Sequence, residues 1–147
     1  MNEFLWLFTR ASKLMRGAAD EAMSKHGVRV GQNMLLEILW ETDGLTPGEL
    51  AGRLQIATPT VVKSVNRMAV TGLLARRPDP ADARLVRVYL TEHGRAVRGA
   101  IERERNDLEL RATRTLTEAE HSAVLSALRK MIAQFDGTEA PPPSAPG

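Results

Sequence analysis

Five arginines lie in or beside one short segment of the chain, ARRPDPADARLVRVYLTEHG at residues 75–94. Two prolines and two aspartates stand between the arginine pair at positions 76 and 77 and the next arginine, Arg84. A guanidinium group keeps its charge and binds phosphate through parallel hydrogen bonds, so clustered arginines are typical of surfaces that recognise anions. The residue types in this segment predict a polyanionic partner.

The distribution of charge along the chain supports the same interpretation. The 147 residues carry a net charge of only +2, but residues 53–98 hold nine basic and three acidic side chains, a net charge of +6. Residues 1–52 and residues 99–147 each have a net charge of −2. A basic middle between mildly acidic ends favours nucleic acid as the partner of the middle alone. Chance clustering of solvated surface charges is the alternative.

The sequence offers no site for catalysis or for a metal. Its three histidines, His26, His93 and His121, are scattered and never have the H-x-x-x-H or H-E-x-x-H spacing. There is no cysteine, which excludes thiol chemistry and disulfides. We therefore predict no enzyme, no metal and no cofactor. The apolar run Phe4–Phe8 is too short for a signal peptide or a membrane span, which predicts a cytoplasmic protein without a membrane partner.

Helical periodicity organises the first third of the chain. Apolar residues from Phe4 to Met23 recur at three-and-four spacing, which predicts a long amphipathic helix that ends near Gly27. A second helix around Leu35 and Leu39 should stop at the turn residues that follow it.

Two start signals for helices then follow only twelve positions apart. Thr46 is predicted to cap a third helix, with Pro47 as its first residue and Glu49 completing a capping box. Thr58 is likewise predicted to cap a fourth helix, at about residues 59–71, with Pro59 as its first residue. Two short helices with a brief turn between them are the layout of a helix-turn-helix.

The fourth helix separates two faces clearly. Val61, Val65 and Met68 share one side, which should face the core. The opposite side carries two cations, two hydroxyls and no acid, from Thr60, Lys63, Ser64 and Arg67. An ordinary solvated face is the alternative, but the position within a helix-turn-helix favours contact with DNA.

A β-hairpin is predicted next, with a first strand from about Leu73 and a second over Val86–Leu90. Asp79 and Asp82 should accept backbone N–H bonds in the turn between the strands. The acids and prolines would then stiffen a loop that presents Arg84.

Two more helices complete the chain. Thr91 is predicted to cap a fifth helix that runs to about residue 113, and Thr117 with Glu120 to form the capping box of a sixth. Residues 137–147 lack apolar periodicity and are predicted to be a disordered tail. Aromatic residues near both ends, such as Phe4 and Phe135, favour an intermolecular contact, although the ends packing on each other within one chain is the alternative.

The order of these elements resembles the MarR (multiple antibiotic resistance regulator) family of bacterial winged-helix transcription factors over about residues 3–135. The most specific part is an Asp-x-Arg turn, a strand and Leu-Thr-x-x-Gly, which is similar to the wing signature of that family. Those positions here are Asp82, Arg84, Leu90, Thr91 and Gly94. Ala83 departs from the family, because many members carry a second basic residue there.

The resemblance implies a mainly α fold with a small β-hairpin: a winged helix-turn-helix core plus N- and C-terminal dimerisation helices. A single domain would span residues 1–136, with a DNA-binding lobe at about 44–91 and dimerisation helices at about 3–26 and 92–135. The implied function is a homodimeric, sequence-specific repressor of transcription whose DNA binding is weakened by a small molecule. A nonspecific architectural DNA-binding protein is the alternative.

The expected partner is double-stranded DNA with a pseudo-palindromic site. The fourth helix should enter the major groove and Arg84 a neighbouring minor groove, while Asp82 stabilises the wing and Arg76, Arg77 and Arg87 touch phosphates or stay solvated. The full set of predicted DNA contacts is Thr46, Thr58, Thr60, Lys63, Ser64, Arg67, Arg76, Arg77, Arg84 and Arg87. A ligand cavity is predicted from Met15, Met23, His26, Leu36 and Trp40, for each of which plain core packing is the alternative.

Overall fold

A computed structural model describes residues 2–137 and confirms a mainly helical fold with one β-hairpin. The elements are α1 Glu3–Ser24, α2 Gln32–Glu41, α3 Pro47–Leu54, α4 Thr58–Val70, β1 Leu74–Pro78, β2 Val86–Leu90, α5 Glu92–Ala96, α6 Arg98–Thr113 and α7 Glu118–Asp136. The chain divides into two compact units, the first through Leu108 and the second from Glu109. The predicted disordered tail, apart from Gly137, lies outside the described residues.

The helix starts of the helix-turn-helix differ in part from the prediction. Thr46 caps α3 as expected, because its hydroxyl accepts the backbone N–H of Glu49 at 3.1 Å. The predicted capping box is wrong, since the Glu49 carboxylate lies 3.8 Å from Arg87 instead of returning to the cap. The predicted cap of α4 is also wrong: Ala57 holds the extended cap position and Thr58 is already the first helical residue.

The predicted fifth helix is interrupted at Val97, where α5 ends and α6 begins one residue later. Thr91 caps α5 as predicted and accepts the backbone N–H of Gly94 at 3.0 Å. The carbonyl of Gly94 in turn accepts the indole N–H of Trp40 at 2.9 Å, which gives that carbonyl a partner outside the helix. The interruption therefore falls beside a contact between α5 and α2.

The core of the first unit lies where α4 and the hairpin meet α2. Its fully buried side chains come from every one of these elements: Leu35, Leu36 and Leu39, then Val61, Val65 and Met68, then Leu73, Leu74 and Val88. Burying one such aliphatic side chain contributes about 1.5–3 kcal/mol. Packing of its apolar face therefore holds α4 in place from behind.

The hairpin is antiparallel, with Leu74 opposite Leu90 and Pro78 opposite Val86. Its second strand also pairs with the segment before α3 through the bridge between Leu45 and Val88. Gly44, in that segment, has a φ of +76°, and a Cβ there would lie 2.8 Å from the ring of Tyr89. The base of the hairpin is thus attached to the start of the helix-turn-helix.

The glycine of the Leu-Thr-x-x-Gly motif is needed for close packing. A Cβ on Gly94 would lie 2.2 Å from the carbonyl oxygen of Leu73, which no side chain can tolerate. Thr91 ties the same junction together, because its hydroxyl donates to the carbonyl of Gly72 at 2.5 Å. The motif therefore holds the end of β2 and the start of α5 against the residues that precede β1.

The second unit is dominated by α7. Its capping box forms as predicted, with Thr117 accepting from the backbone of Glu120 and the Glu120 carboxylate returning to Thr117. None of the residues of α7 is buried. Over residues 2–137, no helix combines the length and the apolar character needed to cross a membrane.

Candidate nucleic-acid interface

The exposed face of α4 has the composition predicted from its sequence. Thr60, Lys63 and Arg67 are exposed and Ser64 is half-buried, while the opposite face lies in the core. The helix TPTVVKSVNRMAV contains no carboxylate. Within the described part of the chain, the side chains of Lys63 and Arg67 make no hydrogen bond or ion pair, so both cations are available to an external anion.

Asn66 is a residue of this face that sequence reasoning missed. It is exposed on α4, three positions after Lys63, and its side-chain oxygen accepts from Nη1 of Arg76 at 2.5 Å. This bond connects β1 to α4 and orients Arg76 beside the helix. The spacing of three from Lys63 was a signal that could have identified Asn66, since residues three apart are neighbours on a helix surface.

The turn of the hairpin, which we call the wing tip, is held by its two aspartates. The Asp79 carboxylate accepts the backbone N–H groups of Ala81 at 2.7 Å and of Asp82 at 3.0 Å. The Asp82 carboxylate accepts from the backbone of Arg84 at 3.0 Å and from its Nε at 3.1 Å. The Arg84 side chain is nevertheless 91% exposed, so it stands at the surface in a defined direction.

These bonds stabilise the charged forms of both carboxylates. The side-chain bond from Arg87, and then the amides of Ala81 and Asp82, lower the pKa of Asp79 below its ordinary value. The side-chain bond from Arg84, followed by the backbone bond from the same residue, lowers the pKa of Asp82. Both acids are therefore anionic at neutral pH and shape the loop in that form.

Arg87 is placed differently from the other predicted contacts. Its Nε donates to the buried carboxylate of Asp79, and its Nη1 donates to the backbone carbonyl of Gly44 at 2.9 Å. The bond to Asp79 raises the pKa of Arg87 above its ordinary value. We call this arrangement of Arg87, Asp79 and Gly44 the wing clamp, since it joins the wing to the segment before α3.

Asp79 is only 8% exposed. The sequence predicted its backbone bonds but named only Asp82 as the residue that stabilises the wing. The register offered a signal, because Arg77 and Arg87 stand directly opposite each other on the two strands. Like charges in that position are unfavourable unless each has a partner. Arg87 finds Asp79, and the guanidinium of Arg77 lies over the ring of Tyr89, 5.6 Å from its centre.

The two threonines at the helix starts occupy different environments. The hydroxyl of Thr46 accepts the cap bond of α3. Thr58 is exposed in the first turn of α4.

The five residues predicted to line a ligand cavity have different environments. Met23 and Leu36 lie in the core, and Leu36 has no accessible surface, so no water-sized void touches it. His26 Nε2 is 3.1 Å from a carboxylate oxygen of Glu104, and the indole of Trp40 is bonded to Gly94. Met15 is half exposed on α1. A ligand in contact with Leu36 would require repacking of the core.

A helix-turn-helix followed by a β-hairpin that is fixed to it defines a winged helix-turn-helix protein. The model of the MarR family matches residues 30–86. An HTH-type transcriptional regulator of Mycobacterium bovis, Mb0904, is 30% identical over 109 residues, which cover 74% of this chain and 76% of that protein. The chain belongs to the MarR family.

Other relatives agree with this assignment. The regulator TtmR of Methylorubrum extorquens is 30% identical over 80 residues, which cover 54% of this chain and 41% of that protein. A Bacillus subtilis regulator is matched over 58% of its length, so the chain spans about half the length of these two curated relatives. The crystal structure of a MepR–DNA complex from Staphylococcus aureus has a TM-score of 0.81 and 26% identity, covering 90% of this chain and 98% of that one. The relatives are transcriptional regulators rather than enzymes, as the sequence predicts.

Proposed function

We propose that this protein is a homodimeric regulator of transcription that reads the sequence of double-stranded DNA with α4 and the wing. The observation that carries the proposal is the exposed face of α4, where Lys63 and Arg67 have no acidic neighbour on the helix and no partner in the described residues. Cations that are held on a rigid helix without a partner are suited to phosphates and to the edges of guanine.

The geometry of the surrounding elements supports insertion into the major groove. The 13 residues of α4 give a rod of about 20 Å, and the major groove of B-form DNA admits one helix. The exposed guanidinium of Arg84 at the wing tip is suited to a neighbouring minor groove, where A·T-rich DNA concentrates negative potential. Asp82 orients that guanidinium before DNA arrives, so binding costs little conformational freedom.

The homodimer is proposed from apolar surface that each unit leaves exposed. α7 buries no residue, and its Phe135 is 94% exposed. In α1, the stacked rings of Phe4 and Phe8 lie in a run of exposed apolar side chains. Exposed apolar side chains of this kind are typical of a protein interface, and a second copy of the chain would cover them.

Repression and its relief by a small molecule are the parts of the proposal that follow from the family. A dimer bound within a promoter would exclude RNA polymerase, and a ligand that favours another arrangement of the lobes would release the DNA. Transcription in vitro from a template with and without the bound site tests the sign of regulation. An increase in transcript on addition of protein would contradict repression.

The test of sequence-specific binding is a competition titration. The wild-type protein first selects duplexes from a random-sequence pool, and the selected duplex is then challenged with unrelated duplex at fixed salt. A regulator should prefer the selected duplex by about 10³-fold or more. The alternative, a nonspecific architectural protein, predicts no such preference and no consensus among the selected sequences.

A further inference from the structure

A groove runs between α1 and the recognition helix α4. It has a volume of about 870 Å³, and its walls include Thr60, Ser64 and Arg67 from the exposed face of α4. The opposite wall is formed by α1, which contributes the cations Lys13 and Arg16. The surface predicted to face DNA therefore continues past α4 onto α1.

The charge of this groove is strongly unbalanced. Its lining includes four cations and one carboxylate, Asp20. That carboxylate already binds the guanidinium of Arg29 at 3.0 and 2.8 Å and accepts the backbone N–H of Val30 at 3.0 Å. The bond from Val30 is the main cause that lowers the pKa of Asp20, so it is anionic and satisfied. The side chains of Lys13 and Arg67 make no hydrogen bond or ion pair within residues 2–137. Arg16 attracts the Asp20 carboxylate electrostatically but makes no side-chain hydrogen bond in the described residues.

The groove and the wing lie on different flanks of α4. At 3.6 residues per turn, Asn66 is displaced from Lys63 by about 60° in one direction and Thr60 by about 60° in the other. The Asn66 flank holds Arg76 of the wing at 2.5 Å, and the Thr60 flank lines the groove. Lys63 is thus at the crest of α4, between one basic surface on the wing and another on α1.

A helix in the major groove has a phosphate backbone on each side of it, because the groove is about 12 Å wide and a helix with its side chains measures about 10–12 Å. We propose that Lys13 and Arg16 of α1 contact the phosphate backbone on the flank of α4 away from the wing. The inference rests on the proposed function. It adds a second row of phosphate contacts, made by residues of α1 that are not among the predicted DNA contacts. Arg67, which lines the groove, would then lie between the base edges read by α4 and the phosphates bound by α1.

The first test maps phosphates on the wild-type protein, bound to the duplex selected from the random pool. Each phosphate in turn is replaced by a neutral methylphosphonate, and the dissociation constant is measured. Sensitive phosphates should form two tracts, one on each side of the segment that α4 occupies. A single tract on the wing side would overturn the inference, and this outcome requires no variant to fold.

The second test assigns the added tract to α1. Lys13→Gln with Arg16→Gln should make the log–log salt dependence of binding shallower by about 0.9 for each phosphate that is no longer neutralised, or about 1.8 per protomer. The tract away from the wing should become insensitive to methylphosphonate, whereas the wing tract should remain. Lys13→Arg with Arg16→Lys keeps both charges and should keep the slope.

The matched control is Lys25→Gln with Arg103→Gln, which removes two exposed cations of the same unit that do not line the groove. If the groove variant changes the slope no more than this control, the inference is wrong. The inference is also wrong if the charge-keeping variant loses as much affinity as the neutral one. Failure of the wild-type protein to select any duplex would instead contradict the proposed function, which keeps the two failures distinguishable.

Discussion

At the scale of single residues, the arginines of the hairpin have different environments although the sequence presents them as one cluster. Arg84 is exposed at the wing tip, Arg76 is bonded to Asn66, and Arg87 is held inside the wing clamp by Asp79. Only the first of these has its charge directed outwards with no second element bonded to it. Substitutions should therefore separate an arginine that contacts DNA from one that positions the wing.

Arg84→Ala and Asp82→Ala should weaken binding for different reasons. Loss of Arg84 removes a cation, so affinity should fall and the log–log salt slope should become shallower by about 0.9 for a phosphate-like contact. Loss of Asp82 keeps the Arg84 cation but removes the carboxylate that orients it. Affinity should therefore fall by less, and the base preferences read in the major groove should be unchanged. Titrations over a salt series measure both effects, with thermal unfolding as the control. Tighter binding by a normally folded Asp82→Ala would show that the acid only repelled phosphate.

Arg87→Met should reduce affinity while leaving the salt dependence of binding unchanged. The guanidinium of Arg87 is bonded to Asp79 and to the carbonyl of Gly44, so it is not free to neutralise DNA. The salt slope should stay within error of the wild-type slope, and in an Arg84→Ala background the further loss of affinity should be small. A slope as shallow as that of Arg84→Ala, with an additive loss in the double variant, would identify Arg87 as a DNA contact.

Asp79→Asn should have an effect on stability that depends on pH. The pKa of Asp79 is held below its ordinary value of 3.8, so its charged form stabilises the folded state. That contribution is complete above the unfolded pKa and is lost as pH falls through the lower folded pKa. The difference in free energy of unfolding between wild type and variant should be constant above about pH 5 and shrink below 3.8. A difference that stays constant on acidification would show that the charge of Asp79 is not what supports the wing.

At the scale of elements, α4 is positioned from two directions. Its apolar face is fully buried against the core, and Asn66 on its exposed face is bonded to Arg76 of the wing. A helix that is held this firmly can place side chains against base edges with little loss of entropy. Discrimination between sequences should therefore reside in α4, and the wing should add affinity that depends less on sequence.

Lys63→Ala and Arg67→Ala test this division. If either side chain reads a base, its loss should cost about 1–3 kcal/mol of binding free energy and relax the preference at defined positions of the site. Selection from the random pool with each variant measures the relaxation directly. Thr60→Ala is a control on the same face without a change of charge. An unchanged consensus with a uniformly lower affinity would assign Lys63 and Arg67 to phosphates alone.

At the scale of the whole molecule, the proposed two-fold dimer sets the geometry of the DNA site. Two copies of α4 related by symmetry must meet the same face of the duplex, so the half-sites should be centred about 10 base pairs apart or a multiple of that. Inserting about five base pairs between half-sites should turn one of them away and abolish the cooperative affinity. Sedimentation at micromolar concentration should give about twice the chain mass of 16.2 kDa. A monomer whose affinity survives the insertion would contradict the dimer.

Much of this architecture was readable from the sequence because it depends on local chemistry. Helical periodicity predicted which face of α4 is buried, Thr46 and Thr117 predicted helix starts, and the aspartates of the turn predicted backbone bonds. Each of these features involves residues within a few positions of one another. The Leu-Thr-x-x-Gly motif was recognisable as well, although its physical reason, the carbonyl of Leu73 pressed against Gly94, was not visible in the sequence.

Only the tertiary structure decided which partner each long polar side chain binds. Arg87 donates to Gly44 across 43 positions, and Trp40 donates to Gly94 across 54. Glu49 turns towards Arg87 instead of completing its capping box. The groove beside α4 likewise depends on α1, which is some 50 residues away along the chain. The sequence determined which residues are polar, charged and exposed, whereas folding determined which of them meet, because a hydrogen bond depends on distance in space and not on separation along the chain.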